Sequence, residues 1–225
     1  MGRHRFPAVV AVFGLLAAAC SLGGGNDEAC GLDGASVARV WNEQALDAVR
    51  RDFPAPTVHA RNLYHLSALA YDLFVAYDAD GEPVLVDGAP SLASGSTGAE
   101  GDGVRGELEE AIAHGAHHLL THRYTNATGA EETLDALDDT IGCYGPADSD
   151  AARFGIELAE DLIEATIDDG SRETSGYTDL SYAPVNLPMV VFRPGAGLIE
   201  PGRWQPLSLE SQITQNGIAL AAAVQ

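Results

Sequence analysis

The chain has 225 residues and a formal net charge of −21, with 33 acidic and 12 basic side chains. None of the basic residues is Lys, so Arg supplies every permanent positive charge. A surface this acidic repels phosphate backbones, which excludes a nucleic-acid partner. The length suits one domain or part of a larger protein, and an apolar fraction of 46% is enough to build a core.

The first 19 residues are predicted to form a lipoprotein signal peptide. Arg3 and Arg5 precede an uncharged apolar run, Val9–Ala19, which has the length of a signal-peptide core and is too short to span a bilayer. The run ends in small residues before Cys20, which resembles a lipoprotein cleavage box and implies cleavage before Cys20 and a lipid on its sulfur. This predicts a membrane-anchored protein of the cell envelope, facing the periplasm or the exterior. The alternative is an ordinary secretory signal with a chance cysteine.

The predicted fold class is all-α, a bundle of about five to six helices. Residues 20–35 are Gly-rich and polar and are interpreted as a flexible tether, and residues 36–225 as a helical domain. Helical spacing of apolar residues and capping signals predict five successive helices: Ser36–Arg51, Thr57 as the cap of a helix to Tyr77, Val104–Tyr124, Glu131–Ile141, and Ser149 or Asp150 to about Asp169.

The C-terminal third is predicted to contain a long loop and one more helix. Residues 171–207 are rich in Pro and Gly but carry many apolar side chains, so we expect an extended loop packed on the helices. A last helix is expected from about Ser211, and it becomes fully apolar over Ile218–Val224. Because an apolar element without a polar stop is an unusual chain end, we expect the sequence to be part of a longer protein. The alternative is a genuine C-terminal helix docked on the bundle.

Two cysteines remain if Cys20 is lipidated. An even pair in an oxidising compartment favours a disulfide between Cys30 and Cys143. Both lie at the ends of predicted elements, where the backbone can adjust to the geometry of the bond.

Two blocks of residues resemble the N-terminal half of bacterial vanadium-dependent haloperoxidase-like proteins, in the same superfamily as the type 2 phosphatidic acid phosphatases. The first block comprises Val40-Trp41-Asn42, Leu46, Pro54-Ala55-Pro56, Ala60-Arg61, His65, Tyr71-Asp72 and Ala76-Tyr77. The second comprises Tyr182-Ala183-Pro184-Val185-Asn186 and Pro201-Gly202-Arg203-Trp204-Gln205-Pro206-Leu207. The segment Ala111–Leu120 also resembles a helix of that half.

The resemblance implies an all-helical fold and a chemistry in which bound vanadate activates peroxide to oxidise halide, or a related phosphatase reaction. In that family the oxyanion is held by a Lys, several Arg, a Ser and two His in later stretches of the chain. None of those stretches occurs here, so no catalytic residue is carried over. The 225-residue chain is therefore expected to be inactive alone and to hold no cofactor. The longer protein is expected to contain a separate catalytic half that binds vanadate.

A histidine ladder is the strongest candidate for a metal site. His114, His118 and His122 recur at steps of four on one predicted helix, with His117 beside them. Two imidazoles at i and i+4 project to one side and can chelate Zn or Cu. The alternative for the histidines is a structural role, with each ring bonded to backbone or acids. The alternative for the whole chain is a complete, non-catalytic helical lipoprotein that binds a partner or a metal.

Two smaller features have a functional and a structural interpretation. Arg61, His65 and Asp72 lie on one side of the second predicted helix, where a buried ion pair can orient a catalytic group or simply join helices. Trp204 can stack on a ligand or anchor the long loop. The structural interpretation is the commoner one for both.

Overall fold

A computed structural model describes most of the chain downstream of the predicted tether. The described residues are 34–77, 81–86, 102–178, 181–190, 193, 197–209, 212–213, 217, 219–220 and 223–224. The predicted signal peptide, Cys20 and Cys30 lie outside this set. No helix within the described ranges is long and apolar enough to cross a membrane.

Five α-helices make up most of the described residues, which confirms the predicted all-α class. They are α1 (Val37–Arg51), α2 (Pro56–Tyr77), α3 (Asp102–Tyr124), α4 (Ala130–Ile141) and α5 (Asp150–Thr166). Ser36 and Ser149 cap α1 and α5, because their side chains accept hydrogen bonds from the backbone of Arg39 and Ala152. The prediction that Thr57 caps α2 is wrong. The helix begins one residue earlier with Pro56, whose fixed φ and missing N–H suit the first turn.

The core is built around α3, which contacts all four other helices and packs most extensively on α5. Its Leu119 and Leu120 are fully buried, as are Leu69 and Leu73 of α2 and Leu162 of α5. This arrangement puts the ends of α2, α3 and α5 next to one another.

Two glycines allow α3 and α5 to approach closely. A Cβ atom added at Gly155 would lie 2.0 Å from the carbonyl oxygen of Ala111, and one added at Gly115 would lie 2.7 Å from the carbonyl oxygen of Gly155. Both obstacles are backbone atoms, which cannot move aside without displacing a helix. The closest helix pair of the bundle therefore depends on the absence of a side chain at position 155.

The expected last helix is wrong. Two short strands, β1 (Met189–Val190) and β2 (Leu207–Leu209), precede this stretch, and its described residues form β3 (Gln212–Ile213), β4 (Ala219–Leu220) and β5 (Ala223–Val224). β2 pairs with β1 in parallel and with β5 in antiparallel orientation, and β3 pairs with β4. Gly217, at φ +90°, breaks any helix entering the apolar run. A short apolar run fits a strand as well as a helix, so periodicity alone misassigned it.

At its start, the loop expected over residues 171–207 packs on the helices. Glu173 and Tyr177 lie against them, and a short 3₁₀ turn spans Glu173–Ser175. Farther along, large apolar side chains are exposed, including Leu187 at 61% and Ile199 at 62%. Asn186 is nevertheless 1% exposed, so the described part of the loop contains both buried and exposed side chains.

We predict that Gly155→Ala destabilises the bundle. Because the new methyl group overlaps a backbone carbonyl, we expect the free energy of unfolding to fall by about 1–3 kcal/mol or more. Gly106→Ala is the matched control, since it also lies in a helix but its added Cβ meets nothing within 4 Å. That change should raise stability by up to about 1 kcal/mol. Urea unfolding measures both, and equal effects of the two substitutions would contradict the close-approach interpretation.

Candidate functional site

A buried charge network joins α2, α3 and the loop that follows α5. Arg61 of α2 donates from Nε to Asp169 Oδ2 at 2.7 Å and from Nη2 to the carbonyl oxygen of Thr166 at 2.9 Å. Its Nη2 also lies 3.0 Å from Glu173 Oε2. The same Glu173 oxygen accepts a hydrogen bond from Arg123 Nη1 of α3. One carboxylate therefore bridges two guanidinium groups from different helices.

His65 completes this network from α2. Its Nδ1 accepts a hydrogen bond from Arg123 Nη2 at 3.1 Å, so the ring is neutral with its proton on Nε2. That nitrogen lies 3.9 Å from Asp169 Oδ2. Arg123 also donates to Thr166 Oγ1 at 3.1 Å, and Thr166 in turn donates to the carbonyl oxygen of Leu162. The last turn of α5 is thus tied to α2 and α3 through side chains.

The electrostatics of the network balance. Burial lowers the pKa of His65 to about 4, and the positive charges of Arg61 and Arg123 push it in the same direction. Burial alone would raise the pKa of Glu173, but the hydrogen bond and charge of Arg123 outweigh it and the pKa is lowered. The pKa of Asp169 is also lowered, because bonds from Arg61 and Ser171 outweigh its desolvation. Two cations, two carboxylates and a neutral imidazole leave no net charge.

A cleft of about 350 Å³ opens beside the network. It is lined by Thr57, Val58, Arg61, Asp169, Ser171 and Tyr177. Tyr177 adopts a left-handed backbone conformation, with φ +61°, as does Arg172 on the other side of the 3₁₀ turn. Such conformations are costly for non-glycine residues and persist where their surroundings fix them. Here the bonds that Glu173 makes to Arg61 and Arg123 fix the turn between the two residues.

The structure brings together only part of the predicted polar set on α2. Arg61 and His65 meet at Asp169, but Asp72 does not belong to this site. Asp72 is fully buried, and its carboxylate accepts hydrogen bonds from the backbone N–H groups of Val84, Leu85 and Val86 at 2.6, 3.0 and 3.2 Å. It organises the loop after α2. Residues 84–86 form no strand, and the Asp72 side chain satisfies their N–H groups.

Arg123, Glu173 and Asp169 were not predicted as site residues. Asp169 lies 108 positions from Arg61 along the chain, and no local pattern announces such a pairing. The available signal was weak: Arg61 is the only permanently basic residue of a largely apolar α2 in an acidic protein, which favours an acidic partner.

Three of the four histidines on α3 contact different acidic side chains. His117 Nε2 lies 2.8 Å from Asp138 Oδ1, His118 Nε2 lies 3.7 Å from Glu160 Oε1, and His122 Nε2 lies 3.1 Å from Glu173 Oε1. His114 is buried, its Nε2 has no hydrogen-bond partner, and burial lowers its pKa against the opposing effect of a bond with the backbone of Gly145. The part of the chain that the structure describes contains no cluster of three or more metal-ligating side chains around one point. The metal site stays a prediction.

The cysteine prediction lies partly outside the described residues. Cys143 is disulfide-bonded and follows α4 beside Gly142. Cys30 is not among the described residues, so its pairing with Cys143 stays a prediction that a non-reducing peptide map can test.

Trp204 lies in a segment organised by Asn186. The amide of Asn186 donates to the carbonyl oxygens of Glu200, Arg203 and Trp204 and accepts from the backbone N–H groups of Ile199 and Glu200. The Trp204 ring is 56% exposed and lies 6.1 Å from that of Tyr182. Trp204 therefore does not anchor this loop through burial, and Asn186, which is 1% exposed, holds it instead.

Comparison with known proteins identifies no family. The chain matches no family model, no curated protein and no solved structure.

We predict that His65 makes stability depend on pH between about 6.5 and 4. Its folded pKa is lowered to about 4 from an ordinary value of 6.5, so the unfolded chain binds the extra proton within this window. Stability is then fully present above pH 6.5 and declines as the pH falls, by up to about 3 kcal/mol at pH 4.

Chemical denaturation at several pH values in wild type and His65→Gln tests this. The variant should have a smaller slope between pH 6.5 and 4, and the slope that remains comes from His114, whose pKa burial also lowers. It should keep the steeper loss at lower pH, where the depressed pKa values of Asp169 and Glu173 are crossed. An unchanged slope above pH 4 in the variant would assign the effect to other groups.

Proposed function

We infer that these residues form the non-catalytic, N-terminal helical part of an exported protein related to vanadium-dependent haloperoxidases and acid phosphatases. The proposal rests on the structural roles of residues in the two resembling blocks. Trp41 is in the core, Arg61 and His65 enter the charge network, and Asp72 and Asn186 each organise a loop. These roles are architectural, as expected for residues that define a scaffold.

The charge network supports the proposal that these helices do not bind the reacting oxyanion. An oxyanion cradle needs cationic and N–H groups pointed at one vacant position. Here both arginines are engaged by Asp169 and Glu173, and the network has no charge to spare for a vanadate or phosphate group. The chain also contains no Lys to supply the family's cationic residue. The oxyanion chemistry is accordingly assigned to another part of the longer protein.

The Asn186 segment, residues 181–190 and 197–207, is the proposed contact with that catalytic part. Five hydrogen bonds from one buried side chain fix its backbone, while Leu187, Ile199 and Trp204 remain exposed. Apolar side chains held rigidly in solvent favour burial against a second folded body. The cell-envelope location and the lipid on Cys20 are part of the same proposal, and Cys20→Ser should release the protein from membranes on fractionation.

The activity test compares two proteins. The purified 225-residue chain should show no vanadate-dependent bromination with peroxide and bromide. A protein extended through the codons that follow Gln225 in the source gene should show it, or should cleave a phosphoester. Bromination by the 225-residue chain, or a following frame without Lys and late His residues, would overturn the proposal.

The second candidate function is a metal-binding module, which the unpartnered Nε2 of His114 favours. If the histidines are structural, added Zn should leave the melting temperature nearly unchanged. A specific ion at a hundred times its dissociation constant would add about 2.7 kcal/mol of stability. Differential scanning calorimetry with and without Zn, in wild type and His118→Ala, separates the cases. A stoichiometric stabilisation lost in the variant would favour the metal module over a purely structural ladder.

A further inference from the structure

A cleft of about 250 Å³ lies between α3, α5 and the end of α4, and none of its lining residues belongs to the charge network. The polar part of its lining and its two largest apolar side chains come from His114, His117, His118, Asp138, Ile141 and Ile156. A concave surface that combines apolar side chains with a few polar groups is the usual form of a small-molecule site. The size of this cleft suits a ligand with a short apolar chain and one polar end.

His114 supplies a hydrogen-bond acceptor that has no donor. The residue is 4% exposed, and its Nε2 has no hydrogen-bond partner. The bond to the backbone of Gly145 is therefore made by Nδ1, and it acts to raise the pKa of His114, as a bond donated to a carbonyl oxygen does. The proton of the neutral ring thus lies on Nδ1, and Nε2 presents a lone pair. A buried acceptor of this kind favours a ligand that brings an N–H or O–H group.

The turn after α4 fixes this ring in advance. Gly145 has φ +90°, a conformation that favours glycine, and a Cβ atom added there would lie 2.9 Å from Glu110 Oε1. The turn brings the backbone of Gly145 to His114 in a conformation that a side chain at position 145 would strain. An acceptor held in place before a ligand arrives loses little entropy on binding.

The charged groups around the cleft are negative. The Asp138 side chain is 73% exposed, Glu160 Oε1 lies 3.7 Å from His118 Nε2, and the charge of Glu110 acts on the His114 ring. None of the described residues that line the cleft is Arg, and the chain contains no Lys. The electrostatic potential here therefore favours a cation over an anion.

An organic cation fits the cleft better than a metal ion. His117 Nε2 lies 2.8 Å from Asp138 Oδ1, so these two groups already satisfy each other. Across the described ranges, no three metal-ligating side chains surround one point, whereas a zinc site takes three or four protein ligands. An ammonium group needs only an acceptor for its N–H and a negative environment for its charge.

We propose that this cleft binds a small primary alkylammonium ion. The ammonium group donates to Nε2 of His114, its charge lies near the carboxylate of Asp138, and its alkyl chain contacts the apolar lining. Because Nε2 is shielded from solvent, entry requires the rings of His117 and His118 to turn aside, and these side chains are 24% and 36% exposed. Changes of side-chain rotamer are common when a ligand binds.

Isothermal titration calorimetry of the purified 225-residue chain with n-butylammonium chloride tests the proposal. At about pH 8 the probe is protonated, as a Lys side chain is, while an ordinary imidazole is neutral. We expect saturable binding at one site, with a shift of the His114 Nε2 resonance in ¹⁵N NMR. Tetramethylammonium has the charge without an N–H, and 1-butanol has a donor without the charge. Both should bind at least about tenfold more weakly, because each lacks the charged hydrogen bond.

Absence of saturable n-butylammonium binding would overturn the proposal. Equal binding of tetramethylammonium would do so as well, since it would assign the association to the acidic surface in general. Equal binding of 1-butanol would exclude a site that selects a cation.

His114→Asn is the decisive variant, because the Asn amide nitrogen can keep the bond to Gly145 while the acceptor at Nε2 is lost. The dissociation constant for n-butylammonium should rise at least about tenfold. Asp138→Asn should raise it by a smaller factor, since an exposed charge is screened by water. Asp135→Asn is the matched control and should have no effect, because it removes the same charge from an exposed position of α4 outside the cleft.

Circular dichroism checks that the three variants retain their helix content. An unchanged dissociation constant in folded His114→Asn protein would refute the site. Equal dissociation constants of the Asp138 and Asp135 variants would do the same, and this comparison stands even if His114→Asn does not fold, because both positions are exposed.

Discussion

The carboxylate of Glu173 holds the C-terminal loop against the bundle by engaging two guanidinium groups at once. Arg61 belongs to α2 and Arg123 to α3, while Glu173 belongs to the loop after α5. Burying a charge costs several kcal/mol unless partners compensate it, so none of the three tolerates the loss of the others. Removing one member of such a buried set typically costs about 3–5 kcal/mol, because an unpaired charge is left inside. The left-handed backbone at Arg172 and Tyr177 depends on the same contact.

Arginine is suited to this position for a geometric reason. A guanidinium group presents several N–H donors in one plane, so Arg61 reaches Asp169, Glu173 and the end of α5 together. A Lys ammonium also has three donors, but they radiate from a single nitrogen and lack this planar spread. The scarcity of basic residues therefore does not weaken the interior. Of the 12 basic side chains, two join all the segments that meet at this end of the bundle.

The sequence predicted elements whose signals are local and missed those that depend on distant partners. Ser36 and Ser149 announce helix starts because a cap acts within one turn, and both caps form. The strands at Ala219 and Ala223 were missed because an apolar run does not reveal whether it pairs with a neighbour farther back along the chain, Ile213 for Ala219 and Leu209 for Ala223. Two of the five members of the charge network, Arg61 and His65, were visible on one helix face. The acids that complete it come from a loop whose path no periodic pattern describes.

Asp72 and Asn186 show why a residue can resemble a catalytic signature and still be architectural. Each is buried and polar, and each bonds to loop backbone that has no regular partner. Asp72 accepts from three successive N–H groups, and Asn186 both donates to carbonyls and accepts from N–H groups. A loop without helix or strand pairing must have its buried backbone groups satisfied in some other way. One well-placed carboxylate or amide does so, and substitution by an apolar residue would leave several groups unsatisfied together. Selection for the fold alone therefore gives such positions a fixed identity, so a resemblance made of them argues for shared architecture more strongly than for shared chemistry.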